Sequence, residues 1–528
     1  MTHAIPSIDP RFRTLGDLPR VHAARRPAHA AFIFEDRRTS WADFDRHCNR
    51  VAHALLALGL PPQSRIAWLG KNCDRFFEVF LGAAKARQVL VPVNWRLAPE
   101  EIAFILNDAE AQVLFVGADY LPLVDGLRAA VPGLRLVVAM DGPQAGCSEY
   151  VAWRDSGSDT DPRLAADTDE TALQLYTSGT TGLPKGAELT HRNLLTQFSY
   201  AAAGHLGRWS EDDLCVVPLP LFHAGGVCYG MNAPYMGGTV VVLREAQPQL
   251  ILQALAQHRV TKLGVVPAVM QFMLDHPDCA KADFSQLDAI TYGGAPIPPA
   301  LLRRAVEVMG PVFLQMFGMT ESTTLGTALQ PRDHNPALPE RLKSCGQVLP
   351  GVELRIVTLE GKEALPGQSG EIWIRSAAIM KGYWKRPEAT AEALRDGWYH
   401  TGDVGYLDID GYLFILDRLK DMIISGGENI YPAEVERALG DHPAIAESAV
   451  IGVPDAKWGE AVKAMVVLRP GQQLTEAEVI AFTRSKIAAY KCPKTVEFIA
   501  ALPRNPSGKI LKRVLREPYW AGQARRVH

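Results

Sequence analysis

A run of hydroxyls and glycines closed by a cation, Tyr176-Thr177-Ser178-Gly179-Thr180-Thr181-Gly182-Leu183-Pro184-Lys185-Gly186, carries the clearest chemistry in the sequence. Glycines let the backbone turn sharply and aim N–H groups inward, while serine and threonine add donors that bring no charge. Lys185 supplies the cation, so the segment suits the wrapping of a polyphosphate. It is not a Walker loop, which needs Gly-Lys followed directly by Ser or Thr at the mouth of a helix. Here Leu183 and Pro184 separate Gly182 from Lys185, and Ala187-Glu188-Leu189 reads as extended chain before a helix beginning near Thr190 and His191. The loop is therefore expected to join two strands. A hydroxyl-rich surface turn is the plain alternative, and it weakens once the segments downstream are added.

Apolar periodicity sets the elements that must hold these residues. Amphipathic helices over Trp41–Leu58 and Arg75–Ala86 alternate with short apolar runs at Arg65–Leu69, Val89–Val93, Gln112–Val116 and Leu134–Met140. The rhythm continues with a helix at Pro248–His258 and a run at Lys262–Val266, and such alternation signals layered α/β architecture. Beyond Gly351, short alternating strands (Val352–Val357, Gly370–Ile374, Tyr412–Ile415) suit an antiparallel, barrel-like region. After Asp421 come a helix at Pro432–Gly440, strands at Glu447–Val453 and Ala461–Leu468, a helix at Thr475–Ala489 and a strand near Val496–Phe498, a compact α+β unit. The uncharged stretch Ala224–Leu243 approaches the length of a membrane span. Asn232, Pro234 and Gly237-Gly238 break it, so it is expected to be a buried helix followed by a buried strand, with no integral membrane segment.

Six further segments appear in fixed order: Gly293-Gly294-Ala295-Pro296, Gln315-Met316-Phe317-Gly318-Met319-Thr320-Glu321, Tyr399-His400-Thr401-Gly402-Asp403, Asp417-Arg418-Leu419-Lys420, Ser425-Gly426-Gly427-Glu428-Asn429-Ile430-Tyr431-Pro432 and Asn505-Pro506-Ser507-Gly508-Lys509. With them the chain resembles, over essentially its full length, the adenylate-forming superfamily that includes acyl-CoA synthetases, firefly-type luciferases and peptide-synthetase adenylation domains. The acyl- and aryl-CoA synthetases look most similar. The resemblance implies a large multi-sheet N-terminal domain, residues 1–419, made of two α/β subdomains and the antiparallel barrel-like one. A small mobile α+β C-terminal domain, residues 420–528, would hinge at Lys420.

The activity implied is ATP-dependent acyl-CoA formation, with ATP, Mg²⁺ and coenzyme A. A carboxylic acid attacks the α-phosphate of ATP and expels pyrophosphate, then CoA takes the acyl group and releases AMP. Charge must be neutralised at both the reacting centre and the leaving group. By resemblance Thr177, Ser178, Gly179, Thr180, Thr181, Gly182 and Lys185 hold the β- and γ-phosphates, Thr320 contacts the α-phosphate and Glu321 holds Mg²⁺. One carboxylate plus substrate phosphates is a usual way to bind this ion. The nucleoside is expected against Gly293, Gly294 and Ala295, beside Gln315 and Gly318, with Phe317 stacking on adenine where the family more often has tyrosine. Asp403 would accept from the ribose hydroxyls with Arg418 nearby. Lys509 would stabilise the adenylation transition state, while Gly426 and Gly427 would line the pantetheine tunnel. His223, in Pro220-Leu221-Phe222-His223-Ala224-Gly225-Gly226, is the candidate gate of that tunnel.

Gly225, Gly226, Val227, Val265, Val266, Pro267 and Met270 form a largely apolar acyl pocket in this reading. No arginine stands among them, so a malonate-like second carboxylate is not expected, and a medium- or long-chain fatty acid leads over an aryl or alicyclic acid. A non-catalytic nucleotide-binding scaffold is the alternative of another class, and Glu321 and Lys509 argue against it. A net charge of −3 over 528 residues gives no electrostatic reason to expect nucleic acid. Eight cysteines without a CxxC pair give no zinc or disulfide framework and fit the cytoplasm. No amphipathic anchor stands out, although a long acyl tail would allow transient membrane contact, and a homodimer is the ordinary expectation for such an enzyme.

Overall fold

The computed structural model describes residues 5–177, 183–295, 297–335, 337–425, 428–504 and 510–521. Two compact units emerge, one of Met1–Leu354, Ile374–His400 and Gly411–Leu413, the other of Arg355–Trp373, Thr401–Asp410 and Phe414–His528. Neighbours in space, and not one cut in the chain, set this division.

Among the described residues the first unit holds two large mixed sheets. In the nine-stranded sheet, Ala30–Phe34, Thr239–Val242, Leu214–Val217, Lys262–Val265, Ala289–Gly293 and Phe313–Phe317 lie side by side and parallel. Antiparallel strands close both edges: Thr327–Leu329 with Gln347–Val348 at one, and Arg37–Ser40 at the other. The eight-stranded sheet is likewise parallel through Thr171–Thr177, Val89–Val93, Arg65–Leu69, Ala111–Val116, Leu136–Ala139 and Ser148–Glu149. Its other edge is antiparallel, with Lys185–Thr190 and then the short strand Gly382–Tyr383. Helices such as Arg75–Lys85 and Pro248–Gln257 lie between successive strands in the chain, and strands like Val89–Val93 and Thr239–Val242 are buried at every residue, as crossovers covering both faces require.

The uncharged stretch resolves as the helix Ala224–Met236, a left-handed Gly237 with φ +90, and the strand Thr239–Val242. Among the described residues no helix is long and apolar enough to cross a membrane. The expected antiparallel region is a five-stranded sheet of Glu353–Val357, Gly370–Arg375, Trp398–Leu407, Leu394–Arg395 and Leu413–Arg418. In the second unit Ile445–Asp455 and Gly459–Leu468 form a long antiparallel pair, and Thr495–Phe498 joins the latter in parallel. The helices Pro432–Gly440 and Glu476–Arg484 contribute Val435, Leu439 and Val479 to a core with Ile423, Val450, Val462 and Val466.

Three histidines of the first unit, His22, His191 and His334, are almost wholly buried, and burial lowers each to a pKa of about 4. In the unfolded chain they titrate near about 6.5. Between those values the unfolded state binds more protons, so stability falls as pH drops. The melting temperature is therefore expected to fall steadily from pH 6.5 to pH 4, as read by thermal denaturation. A flat or rising melting temperature over that window would contradict the buried neutral state of these rings.

Candidate active site

Ligands of open parallel sheets gather beyond the carboxyl ends of the strands. In the nine-stranded sheet those ends are level, with Val217 opposite Val242, Val265 opposite Tyr292, and Gly293 opposite Met316. The segments singled out by sequence follow them directly: Pro220–Gly226 after Val217, Val266-Pro267 after Val265, Gly294-Ala295 after Gly293, and Gly318–Glu321 after Phe317. Close backbone approach explains two of the glycines. A Cβ on Gly293 would sit 2.4 Å from the Met316 carbonyl oxygen, and one on Gly318 would sit 2.2 Å from that of Thr324. Past Phe317 the chain enters a 3-10 turn at Thr320–Ser322 and then holds Thr323 and Thr324 in the left-handed region, at φ +48 and +66. Such strain in threonine persists only where its surroundings enforce it. Here Thr324 N–H donates to Met319 O at 2.9 Å, and the Thr323 hydroxyl donates to Ala378 O at 2.6 Å.

This turn aims Glu321 at the stem of the phosphate-loop candidate. Thr177 and Lys185 pair across the strands Thr171–Thr177 and Lys185–Thr190, so the run is carried by a strand–strand hairpin as its sequence suggests. Glu321 is 8 % exposed, and the Tyr383 hydroxyl donates to its Oε1 at 2.8 Å. The Thr177 hydroxyl makes a longer approach of 3.4 Å to the same oxygen. A hydroxyl bond to a carboxylate contributes on the order of 1.5–3 kcal/mol, and both contacts land on Oε1. Among the described residues Oε2 is left as the oxygen for a cation. An oxygen-only donor set with one carboxylate fits Mg²⁺ completed by phosphates, and the described residues contain no cluster of three or more metal-type ligands that would compete.

The other expected residues fall in distinct places. Phe317 and Thr320 are half-buried, and Gly294 and Ala295 are exposed, Gly294 at φ +75. Gln315 is 6 % exposed and its amide is engaged internally, accepting from the Tyr292 hydroxyl at 3.3 Å and donating to Cys345 Sγ at 3.7 Å. His223 packs on Phe222 at a 4.5 Å ring separation and is exposed, yet enough protein surrounds it to lower its pKa to about 4, with the Arg96 cation adding to the effect. Exposure in dense surroundings is what a cleft-lining side chain shows, and this imidazole is neutral at pH 7. In the second unit Asp403 is buried and receives Arg418 Nε at 2.7 Å, while Arg418 also donates to Thr401 O at 3.3 Å. Ser178, Gly179, Thr180, Thr181, Gly182, Gly426, Gly427 and Lys509 lie outside the described residues.

Two residues escaped the sequence reading. Tyr383 sits in a two-residue strand, 62 positions from the carboxylate it bonds. Arg96 lies over Trp95 at 4.2 Å and reaches within 5.7 Å of the Phe222 ring, bringing a cation to the His223 neighbourhood. The Asn94-Trp95-Arg96 run after the apolar strand Val89–Val93 is the available sign, since strand ends of this kind hold site residues.

Residues 20–384 match the family model of AMP-binding enzymes, and 434–509 match that of the AMP-binding enzyme C-terminal domain. A fatty acid–[acyl-carrier-protein] ligase, ScoC, of Streptomyces coeruleorubidus is 40 % identical over 98 % of this chain and 99 % of its own. A feruloyl-CoA synthase of an Amycolatopsis species is 40 % identical over 96 % of this chain and 100 % of its own. Among solved structures, a Mycobacterium tuberculosis fatty acyl CoA synthetase superposes with a TM-score of 0.78 at 34 % identity, covering 98 % of this chain and 100 % of that one. Fold and strand-end site thus define an adenylate-forming enzyme. The chain belongs to the AMP-binding enzyme family, in its acyl-CoA synthetase group. It is an acid–thiol ligase that works with a carboxylic acid, ATP, Mg²⁺ and CoA.

Because a Cβ at Gly318 meets backbone and not a flexible side chain, Gly318→Ala is expected to displace the Thr320–Glu321 turn. ATP affinity measured by calorimetry should fall by roughly tenfold or more, with a loss of stability of about 1–3 kcal/mol. Wild-type ATP affinity in this variant would show that the close approach does not govern the turn.

Proposed function

We propose that the chain joins an apolar carboxylic acid to CoA in two half-reactions at the carboxyl edge of the nine-stranded sheet. In the first, a carboxylate oxygen attacks the α-phosphorus of ATP and the bond to pyrophosphate breaks, giving an acyl-adenylate. In the second, the CoA thiol gives up its proton, its sulfur attacks the acyl carbon, and AMP leaves. The observation that carries this reading is the meeting of Glu321 with the Thr177–Lys185 hairpin stem. Lys185, with Ser178, Gly179, Thr180, Thr181 and Gly182, orients the β- and γ-phosphates, and Thr320 donates toward the α-phosphate. Glu321 would hold Mg²⁺, which would neutralise phosphate charge there. Gly293, Gly294 and Ala295 admit the nucleoside, Phe317 offers its ring to adenine, and Asp403, fixed by Arg418, accepts from the ribose hydroxyls. Lys509 supplies the cation at the reacting centre, and Lys420 is the hinge that exchanges it for Gly426 and Gly427 in the second half-reaction.

A medium- or long-chain fatty acid is the leading substrate class. The relative named for fatty acids supports it. An aryl acid is the second reading, favoured by the edge-on Trp95–Phe222 pair at 6.2 Å, which stands beside His223, and by the feruloyl-CoA synthase relative. Eight cysteines without a CxxC pair are in keeping with a reducing cytoplasm.

Acid-dependent exchange of labelled pyrophosphate into ATP, followed by mass detection of the CoA thioester across a panel of fatty, aryl and alicyclic acids, tests the proposal. Exchange with one class and thioester formation with the same class is the expected result. ATP binding without exchange across the whole panel would point to a scaffold instead. Lys509→Ala is expected to abolish exchange while leaving thioester formation from supplied acyl-adenylate largely intact. Equal loss of both half-reactions would contradict the role given to Lys509.

A further inference from the structure

We propose that Tyr383 is the positioning residue of the phosphate end of the site, holding Glu321 by its hydroxyl and Lys185 by its ring so that the two charges do not pair with each other. The proposal rests on the ATP-dependent reading above and concerns a residue that this reading leaves without a role.

Both contacts come from one side chain. The hydroxyl donates to Glu321 Oε1 at 2.8 Å, and Lys185 Nζ lies 5.4 Å from the ring centroid, within cation–π range. Strand register explains why. Tyr383 stands opposite Ala187, and residues two apart on a strand share a face, so its ring reaches Lys185 along the diagonal. The flanking backbone is tied to Glu321 and to the neighbour of Lys185. Met380 N–H donates to Glu321 O at 2.7 Å, and Trp384 N–H donates to Gly186 O at 2.8 Å.

The consequence is electrostatic. Lys185 and Glu321 share one aromatic neighbour, and among the described residues Lys185 makes no ion pair. A lysine free to fold onto a carboxylate 8 % exposed would gain a salt bridge and lose its use to phosphate, while the carboxylate would lose its use to a cation. Tyr383 satisfies the anion through a neutral donor and the cation through a neutral π face. Both formal charges therefore stay available to a ligand, and Glu321 Oε2 is the oxygen left open.

Calorimetric titration of ATP into the full-length protein, with no acid present, separates these contributions when run in Mg²⁺ and in EDTA. Tyr383→Phe keeps the ring and removes the donor. The gain in ATP affinity that Mg²⁺ confers is expected to shrink roughly tenfold, with affinity in EDTA unchanged. Tyr383→Leu removes the ring as well, and affinity in EDTA should fall roughly threefold. Adding Glu321→Gln to Tyr383→Leu should restore the EDTA value, because the carboxylate that captures Lys185 is then gone. A packing role alone would move neither the Mg²⁺ dependence nor the rescue. Wild-type behaviour of Tyr383→Phe in both buffers, or a Tyr383→Leu defect that Glu321→Gln does not restore, would overturn the role of Tyr383 and leave the ligase reading standing. A wild-type protein that binds no ATP with Mg²⁺ would overturn both.

Discussion

A carboxylate with 8 % of its surface exposed needs hydrogen-bond partners, and the partners of Glu321 tie one sheet to another. Its side chain comes from the turn that follows the strand Phe313–Phe317 of the nine-stranded sheet, while Thr177 and Tyr383 belong to the eight-stranded sheet. A donor from each of the two strands that flank Lys185–Thr190 in that second sheet converges on one oxygen. The geometry thus fixes Glu321, the proposed metal ligand, against the hairpin stem that carries Lys185. Neutral donors do the fixing, which keeps the negative charge for a ligand.

The nine-stranded sheet supplies the other constraint. Level strand ends bring four loops to one edge, and the approach of Gly318 to the Thr324 carbonyl tightens the loop that carries Thr320 and Glu321. Two threonines in the left-handed region store strain next to that carboxylate, and Ala378 O holds one of them through its hydroxyl. The segment from Ala378 to Trp384 therefore bonds the turn at one end and the hairpin at the other. It is a structural element of the site although only Gly382 and Tyr383 in it form a strand.

What the sequence made legible is local. The hairpin at Thr177 and Lys185 follows from a glycine-rich run between two apolar stretches, and the helix Pro432–Gly440 follows from a proline at its first position. Breakers at Pro234 and Gly237 suffice to separate the helix Ala224–Met236 from the strand Thr239–Val242. The residues proposed for phosphate and metal stand out as candidates because they occur in fixed order within short motifs. Tyr383 was not, since its importance depends on a pairing across 62 residues and on strand register. Arg96 was missed for a related reason. It lies more than a hundred positions from Phe222 in the chain, and only the folded sheets bring its guanidinium within 5.7 Å of that ring. The division of the units was equally hidden, because Arg355–Trp373 and Thr401–Asp410 join residues beyond Phe414 through long-range strand pairing.

The proposed activity turns on attack by the acid's carboxylate on the α-phosphorus of ATP. Turnover of an accepted acid labelled with ¹⁸O in both carboxylate oxygens, followed by mass analysis of the nucleotide, tests it most directly. One label should remain with the acyl carbonyl of the CoA thioester, and the other should appear in AMP as a single ¹⁸O on phosphorus. Label found in inorganic phosphate, with ADP as the nucleotide product, would mean attack at the γ-phosphorus and would contradict the account.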